Sequence, residues 1–188
     1  AMSAFPVDTR LARMIIEGSR RDCAKEMMVL AAALTIQDPR ERPAEVRGTA
    51  DEMHARFTDD KSDFSSFLLL WQYINERQAE LSYSQLRKMC HREFINFLRI
   101  REWQDLFAQL REMGRTANIR VSNGRDIDAS GREVEIHKSL LSGLLSHVGA
   151  KEEREKTYGK APRGPREYLG ARGTKFAIFP GSGLFKQN

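Results

Sequence analysis

Four consecutive residues, Asp51-Glu52-Met53-His54, have the letters of the Asp-Glu-x-His box with which some ATPases hold magnesium and position a water molecule. In those enzymes a run of β-branched residues precedes the box, whereas the mixed segment 45–50 precedes it here. The sequence also has no phosphate-binding Gly-x-x-x-x-Gly-Lys-Ser/Thr motif. Residues 51–54 are therefore predicted to lie on the solvated face of a helix, and an autonomous ATPase is strongly disfavoured.

The other residues that could catalyse a reaction or bind a metal are scattered along the chain. Its four histidines and two cysteines show neither a Cys-x-x-Cys pair nor a paired His spacing, so no metal cage is expected. There is no Gly-x-Ser-x-Gly motif, and the carboxylates stand beside basic neighbours. The sequence therefore predicts no catalytic residue, metal site or cofactor, and two reduced core cysteines in a cytoplasmic protein.

Basic residues are concentrated near the C-terminal end of the sequence. Residues 151–188 carry nine Lys and Arg against four Asp and Glu, while residues 1–150 carry 22 of each kind. Tyrosines and phenylalanines alternate with these cations, a pattern typical of a surface that faces a polyanion. An equally weighted alternative is a solvated strand edge, because Lys and Arg also protect edges from aggregation.

Length and composition limit the class of protein. The 188 residues are 40% hydrophobic and 30% charged, which is typical of a globular protein with one substantial domain or one domain and a fragment. No apolar run approaches the ~20 residues that a membrane helix needs. The N-terminus has no basic segment followed by a long apolar stretch, so neither secretion nor membrane insertion is expected.

Apolar residues at helical spacing predict a bundle of amphipathic helices up to Gly149. Asp8 and Asp22 are predicted to cap the first two helices, and Pro39 to stop the second. The clearest helix starts at Ser62 or Asp63. Further helices are predicted from Ala44 to about Phe57, from Ser84 to Leu98, from Trp103 to the C-cap Gly114, and from Ser130, with a Ser130–Glu133 capping box, to Gly149.

The composition changes after Gly149, where turn residues and a short β-strand pattern replace the helical spacing. Lys175–Phe179 is predicted to be a strand and Pro180–Gly183 a turn. Two or three strands cannot close a sheet, so the sequence is expected to end inside a β-domain. The strand at 175–179 would then have an open edge, which predicts packing on the chain's own bundle or a weak dimer.

Read together, several segments resemble the C-terminal helicase-associated region of DEAH-box RNA helicases of the bacterial HrpA type. The resemblance covers nearly the whole chain, and it is specific in combination although each motif is weak alone. The segments that carry it are Leu11-Ala12-Arg13-Met14, Leu30-Ala31-Ala32-Ala33-Leu34, residues 37–43, Ser62-Asp63-Phe64, Tyr83-Ser84-Gln85-Leu86, residues 98–103, residues 168–173 and residues 179–184.

The resemblance implies a mainly α fold, with a ratchet-like helical bundle followed by a few strands of an incomplete OB fold. Residues 1–10 would be the exit of a winged-helix domain, residues 11–149 the bundle, and residues 150–188 the first part of the OB fold. It also implies a parent enzyme that hydrolyses ATP with magnesium in two RecA-like domains. Those domains are absent from this sequence, so no enzymatic activity is expected of the chain itself.

In such helicases the bundle and the OB fold form walls of a channel for a single strand. The resemblance therefore implies an accessory module that binds single-stranded RNA without sequence preference and couples strand passage to the RecA-like domains of the same parent chain. The residues predicted to contact phosphates are Arg99, Arg101, Arg166, Arg172 and Lys175. The alternative is a helical platform that docks partner proteins, which salt dependence would distinguish from RNA binding.

Overall fold

Seven α-helices and a small antiparallel sheet make up the computed structural model, which describes residues 7–121, 127, 131–151, 167–179 and 181–187. The helices are α1 (Thr9–Arg20), α2 (Ala24–Thr35), α3 (Arg47–His54), α4 (Asp63–Glu80), α5 (Tyr83–Arg92), α6 (Phe97–Thr116) and α7 (Glu133–Leu144). The strands are β1 (Gly149–Lys151), β2 (Glu167–Gly170) and β3 (Lys175–Ala177). The predicted fold class, a mainly α helical bundle followed by a few strands, is confirmed. No helix in these ranges is long and apolar enough to span a membrane.

Helix α2 lies at the centre of the bundle. All ten residues of its segment Ala24–Ala33 are buried, and it packs against α1, α4, α6 and α7. The small side chains at 31–33 allow neighbouring helices to approach closely. The predicted cap is correct for α1, where Asp8 accepts a hydrogen bond from the backbone of Arg10, but wrong for α2. Asp22 has a φ of 57°, so it forms the turn between the helices, and Cys23 is the N-cap of α2.

An aromatic cluster joins α4 and α6, as the apolar spacing around both tryptophans predicts. The ring centroids of Trp71 and Trp103 are 5.0 Å apart, and those of Trp71 and Phe107 are 4.9 Å apart. The indole nitrogen of Trp103 donates to the carbonyl of Val29, 2.9 Å away, which ties α6 to the central helix. Both tryptophans are therefore core residues.

The junction between α5 and α6 lies earlier in the chain than the sequence predicts. Phe94 has a φ of 54°, and the backbone N–H of Asn96 donates to the carbonyl of Pro39 instead of continuing a helix. Asn96 then caps α6 by accepting from the backbone of Arg99. Leu98, expected in the core, consequently lies on the first turn of α6 and is 75% exposed.

Two predicted helix ends are also wrong. Gly114 is not a C-cap, because α6 continues to Thr116 and the glycine lies inside the helix against Met28. Helix α7 ends at Leu144, a 3₁₀ turn follows at Leu145–His147, and Gly149 begins β1. The predicted capping box of α7 involves Ser130, which lies outside the described residues.

The three strands form an antiparallel sheet in the order β1-β2-β3. The predicted strand at 175–179 is confirmed for Lys175–Ala177, whereas β1 and β2 were not predicted. After β3, the backbone N–H of Gly183 donates to Oδ1 of Asp63, 3.0 Å away at the start of α4, so this segment contacts the bundle. A dimer through the edge of β3 stays a prediction.

Candidate nucleic-acid interface

Residues 51–54 lie on α3, and only part of this segment is solvated. Asp51 is exposed and forms two hydrogen bonds with Arg42, of 2.6 and 2.7 Å, which lower the pKa of its carboxyl group. His54 does not lie on the solvated face, because its side chain is buried. Among the described residues there is no group of three His, Cys, Asp or Glu that could hold a metal ion. Within the described residues, Asp51 thus links α3 to Arg42, and His54 belongs to the buried interior.

His54 is a structural residue whose protonation should oppose folding. Its Nε2 donates to the carbonyl of Glu93, 3.0 Å away, and burial lowers its pKa. Unfolded His54 binds a proton near its ordinary pKa, about 6.5, while the folded chain resists protonation at that pH. Stability should therefore fall as the pH drops below that value. In denaturant unfolding at several pH values, His54→Gln should lose less stability on acidification than the wild-type chain does.

The matched control for this prediction is His91→Gln, because His91 is exposed on α5. This variant should keep the pH dependence of the wild-type chain. Equal acid sensitivity of the His54→Gln variant and the wild-type chain would contradict the assignment of that sensitivity to His54.

The two predicted site residues on α6 face different neighbours. Arg99 is half-buried, and its guanidinium donates to the carbonyl of Asp38, 2.9 Å away, so it links α6 to the loop after α2. Arg101 is exposed, and its guanidinium lies 5.9 Å from the ring centroid of Tyr83 on α5. The structure thus brings Arg101, but not Arg99, together with the residues of α5.

The remaining predicted site residues belong to the C-terminal segment. Arg172 is exposed in the turn between β2 and β3, where its φ is 60°. Lys175 on β3 is exposed and forms an ion pair of 3.5 Å with Glu167 on β2. Arg166 lies outside the described residues. Within the described residues, the predicted C-terminal contacts are therefore limited to Arg172 in the turn between β2 and β3 and Lys175 on β3.

A larger basic surface, which is not among the residues predicted from the sequence, lies on α5. We call it the α5 surface; it consists of Tyr83, Arg87, Lys88, His91 and Arg92, together with Arg101 of α6. All six residues are exposed, while Leu86, Met89 and Cys90 occupy the opposite, buried side of α5. The helix contains no acidic residue. The charged side chains on its exposed face are therefore all basic.

Tyr83 gives this surface an aromatic ring. The ring is 61% exposed, and it packs edge-to-face on Phe97 with a centroid distance of 5.1 Å. Exposed aromatic rings beside cations are how proteins bind single-stranded nucleic acids without sequence preference, because every base has a face that can stack. The α5 surface thus combines a stacking group with cations for phosphates.

Specific hydrogen bonds and ion pairs fix both ends of α5. At its start, Ser82 and Gln85 form a reciprocal capping box. At its end, the Glu93 carboxylate is buried, accepts from the hydroxyl of Tyr73 at 2.9 Å, and pairs with Arg56. Arg92 at the end of α5 also pairs with Glu93, at 3.5 Å, so the positive charge of the α5 surface comes mainly from Arg87, Lys88 and Arg101.

The sequence contained one indication of the α5 surface. The ten residues Tyr83–Arg92 include three Lys or Arg, one His and no acid, which is unusual within the first 150 residues. The charge count over that whole region is balanced, so averaging concealed the local excess. A charge count over a window as long as one helix identifies this excess.

Comparisons with known proteins place this arrangement in a family. Residues 8–94, which include α1 to α5, match the model of the helicase-associated domain (HA2), described as ratchet-like. The chain is 45% identical over 186 residues to the ATP-dependent RNA helicase HrpA of Escherichia coli strain K12, and 46% identical over 186 residues to an HrpA homologue of Haemophilus influenzae. Each alignment covers 99% of this chain and 13% of the relative.

Residues 8–94 are thus a ratchet-like helicase-associated domain. Over 99% of its length the chain is similar to a segment of HrpA-type helicases, which confirms the resemblance identified in the sequence. It spans only about an eighth of the length of the relatives it matches.

Proposed function

We propose that this chain is an accessory module of an ATP-dependent RNA helicase that binds single-stranded RNA without sequence preference. In this proposal the module forms part of the channel for the strand and couples its passage to ATPase domains elsewhere in the parent chain. The names of the relatives support the class of substrate, since both are described as ATP-dependent RNA helicases or their homologues. ATP and magnesium would bind to the parent's RecA-like domains, in the cytoplasm, and this segment would not itself catalyse hydrolysis.

The single observation that carries the proposal is the α5 surface. It combines the exposed ring of Tyr83 with five exposed cationic or imidazole side chains, four of them on the acid-free helix α5 and the fifth, Arg101, on α6. Backbone phosphates would contact the cations, and a base would stack on Tyr83. Because such contacts do not read base edges, binding should tolerate any sequence.

We propose a second, smaller contact in the C-terminal segment. Arg172 and Lys175 are exposed near the β2–β3 turn, and Arg166 precedes β2 in the sequence. In the domain organisation implied by the resemblance, this sheet is the start of an OB fold, residues 11–149 are the ratchet-like bundle, and residues 1–10 leave a winged-helix domain. Arg99 would contribute less than Arg101, because its guanidinium already donates to the carbonyl of Asp38.

The double variant Arg87→Ala/Lys88→Ala tests the α5 surface. If both residues contact phosphates, affinity for labelled single-stranded RNA should fall by a similar factor for every sequence. The slope of log affinity against log salt should become shallower by about 1.4, since each phosphate contact on a single strand contributes roughly 0.7. Fluorescence anisotropy at several salt concentrations measures both quantities.

The matched control is Arg13→Ala/Arg47→Ala, which removes two exposed arginines from α1 and α3. It lowers the net charge by the same amount as the test variant but leaves the α5 surface unchanged. Most of the affinity and of the salt slope should therefore remain. Equal effects of the two double variants would mean that net charge, and not the α5 surface, governs binding. An affinity for partner proteins that is insensitive to salt, with no RNA binding, would favour the docking platform instead.

A further inference from the structure

Helix α7 has apolar residues on two opposite faces. Its inner face packs on α1: Ile136 and Leu140 are buried, and Gly143 lies directly against Met14 and the backbone of Arg10. A helix at the surface of a globular protein normally has a polar outer face. The outer face of α7 departs from this rule.

We call this outer face the α7 stripe. It consists of Val134 and Leu141 on α7, Leu145 in the 3₁₀ turn that follows and Val148 directly after that turn, which are 62%, 46%, 62% and 49% exposed. Val134 and Leu141 are seven positions apart and lie on one line of α7, and Leu145 and Val148 extend this set of exposed aliphatic side chains past the end of the helix. The only charge in this row is Lys138, which pairs with Glu135 at 3.4 Å. Helices with two apolar faces are typically buried between two layers.

From this we infer that the α7 stripe is a docking surface for an apolar face of another domain of the same HrpA-type polypeptide. The inference goes beyond RNA binding, because an aliphatic stripe offers neither cations for phosphates nor rings for bases. It concerns a different surface from α5, so either proposal can fail without the other.

The size of the stripe favours a partner on the same chain over a second copy. Four half-exposed aliphatic side chains present on the order of a few hundred Å², well below the ~800 Å² per partner of a stable complex between separate molecules. Within one polypeptide the local concentration of the partner is high, so a small apolar contact suffices. The relatives supply such domains, since this chain corresponds to 13% of their length.

Single cysteines in the stripe provide the test. The native thiols of Cys23 and Cys90 are buried, and burial raises the pKa of Cys90 to about 11, so both should react slowly with a maleimide. Leu141→Cys and Leu145→Cys place exposed thiols in the stripe. Leu98→Cys is the control, because Leu98 is 75% exposed on α6 and lies outside the stripe.

Labelling rates are measured by peptide mass spectrometry in the 188-residue chain and in a full-length HrpA-type helicase that contains it. All three cysteines should react readily in the 188-residue chain. In the full-length helicase, labelling at positions 141 and 145 should slow by about tenfold or more, because a docked surface permits reaction only during local opening, while position 98 should keep its rate.

Equal rates at positions 141 and 145 in the two proteins would overturn the proposal. Protection that grows with the concentration of the 188-residue chain, together with a dimer in sedimentation, would also overturn it, because a second copy would then be the occupant. Hydroxyl-radical footprinting of the wild-type proteins repeats the comparison without any substitution. There, Leu141, Leu145 and Val148 should be oxidised more slowly in the full-length helicase.

Discussion

Replacement of Trp103 by alanine should lower the free energy of unfolding of this chain by about 3–5 kcal/mol, the largest effect we expect from a single substitution. Trp103 is 1% exposed, and its ring packs on Trp71 and Phe67. The change would leave a cavity between α4 and α6 and remove the hydrogen bond to the carbonyl of Val29. Equilibrium unfolding in denaturant, followed by circular dichroism, measures the loss.

Trp103→Phe separates the two contributions. Phenylalanine keeps much of the aromatic packing but cannot donate to Val29, so we expect a smaller loss, about 1–3 kcal/mol. A loss below about 1 kcal/mol for Trp103→Ala would contradict the placement of this side chain in the centre of the core.

Gly143→Ala should have the second largest effect. A Cβ at this position would overlap the carbonyl oxygen of Arg10 and lie 2.7 Å from Cγ of Met14. The backbone of α1 cannot move aside as a flexible side chain could, so α1 and α7 must separate. We expect a loss of about 2–3 kcal/mol, in the upper part of the range for overpacked sites. Thermal and denaturant unfolding both report it.

Gly48→Ala is the matched control, because it makes the same chemical change in α3, where nothing lies within 4 Å of the added Cβ. Alanine has the higher helix propensity, so this variant should gain about 0.5–1 kcal/mol. Similar changes of the same sign in both variants would show that α1 and α7 are not in the close contact described.

The helices could be predicted from the sequence wherever one apolar face is continuous. Helix α1 begins where Asp8 caps it, and α4 begins after Ser62, where the helical spacing starts, although the Ser62 side chain forms no capping hydrogen bond. The junction after α5 could not be predicted, because the apolar pattern continues through Phe94 and Phe97. What breaks the helix is a hydrogen bond from Asn96 to Pro39, 57 positions earlier in the chain.

The short strands were harder to predict than the helices. Strands β1, β2 and β3 have three, four and three residues, too few for an alternating pattern to emerge. Gly149-Ala150-Lys151 contains no β-branched residue at all. Its place in the sheet depends on pairing with β2, and Phe176 of β3 covers Gly149.

The candidate site could be predicted only in part. The sequence predicts a role for both Arg101, which lies in the α5 surface, and Arg99, which does not. Arg99 and Arg101 are two positions apart on α6, so their side chains point in different directions. Only the folded structure shows that the guanidinium of Arg99 donates to the carbonyl of Asp38. The buried contact of His54 with Glu93 also joins distant segments, so the sequence alone suggested an exposed residue.

The most direct measurement of the central claim is a titration of labelled single-stranded RNA with the wild-type chain. We expect binding at about 50 mM salt that is similar for U-rich, A-rich and mixed strands. With three to four phosphate contacts, affinity should fall roughly 20- to 50-fold between about 50 and 200 mM salt. No binding at the lower salt concentration, or an affinity that is insensitive to salt, would contradict the claim that this chain binds single-stranded RNA through its phosphates.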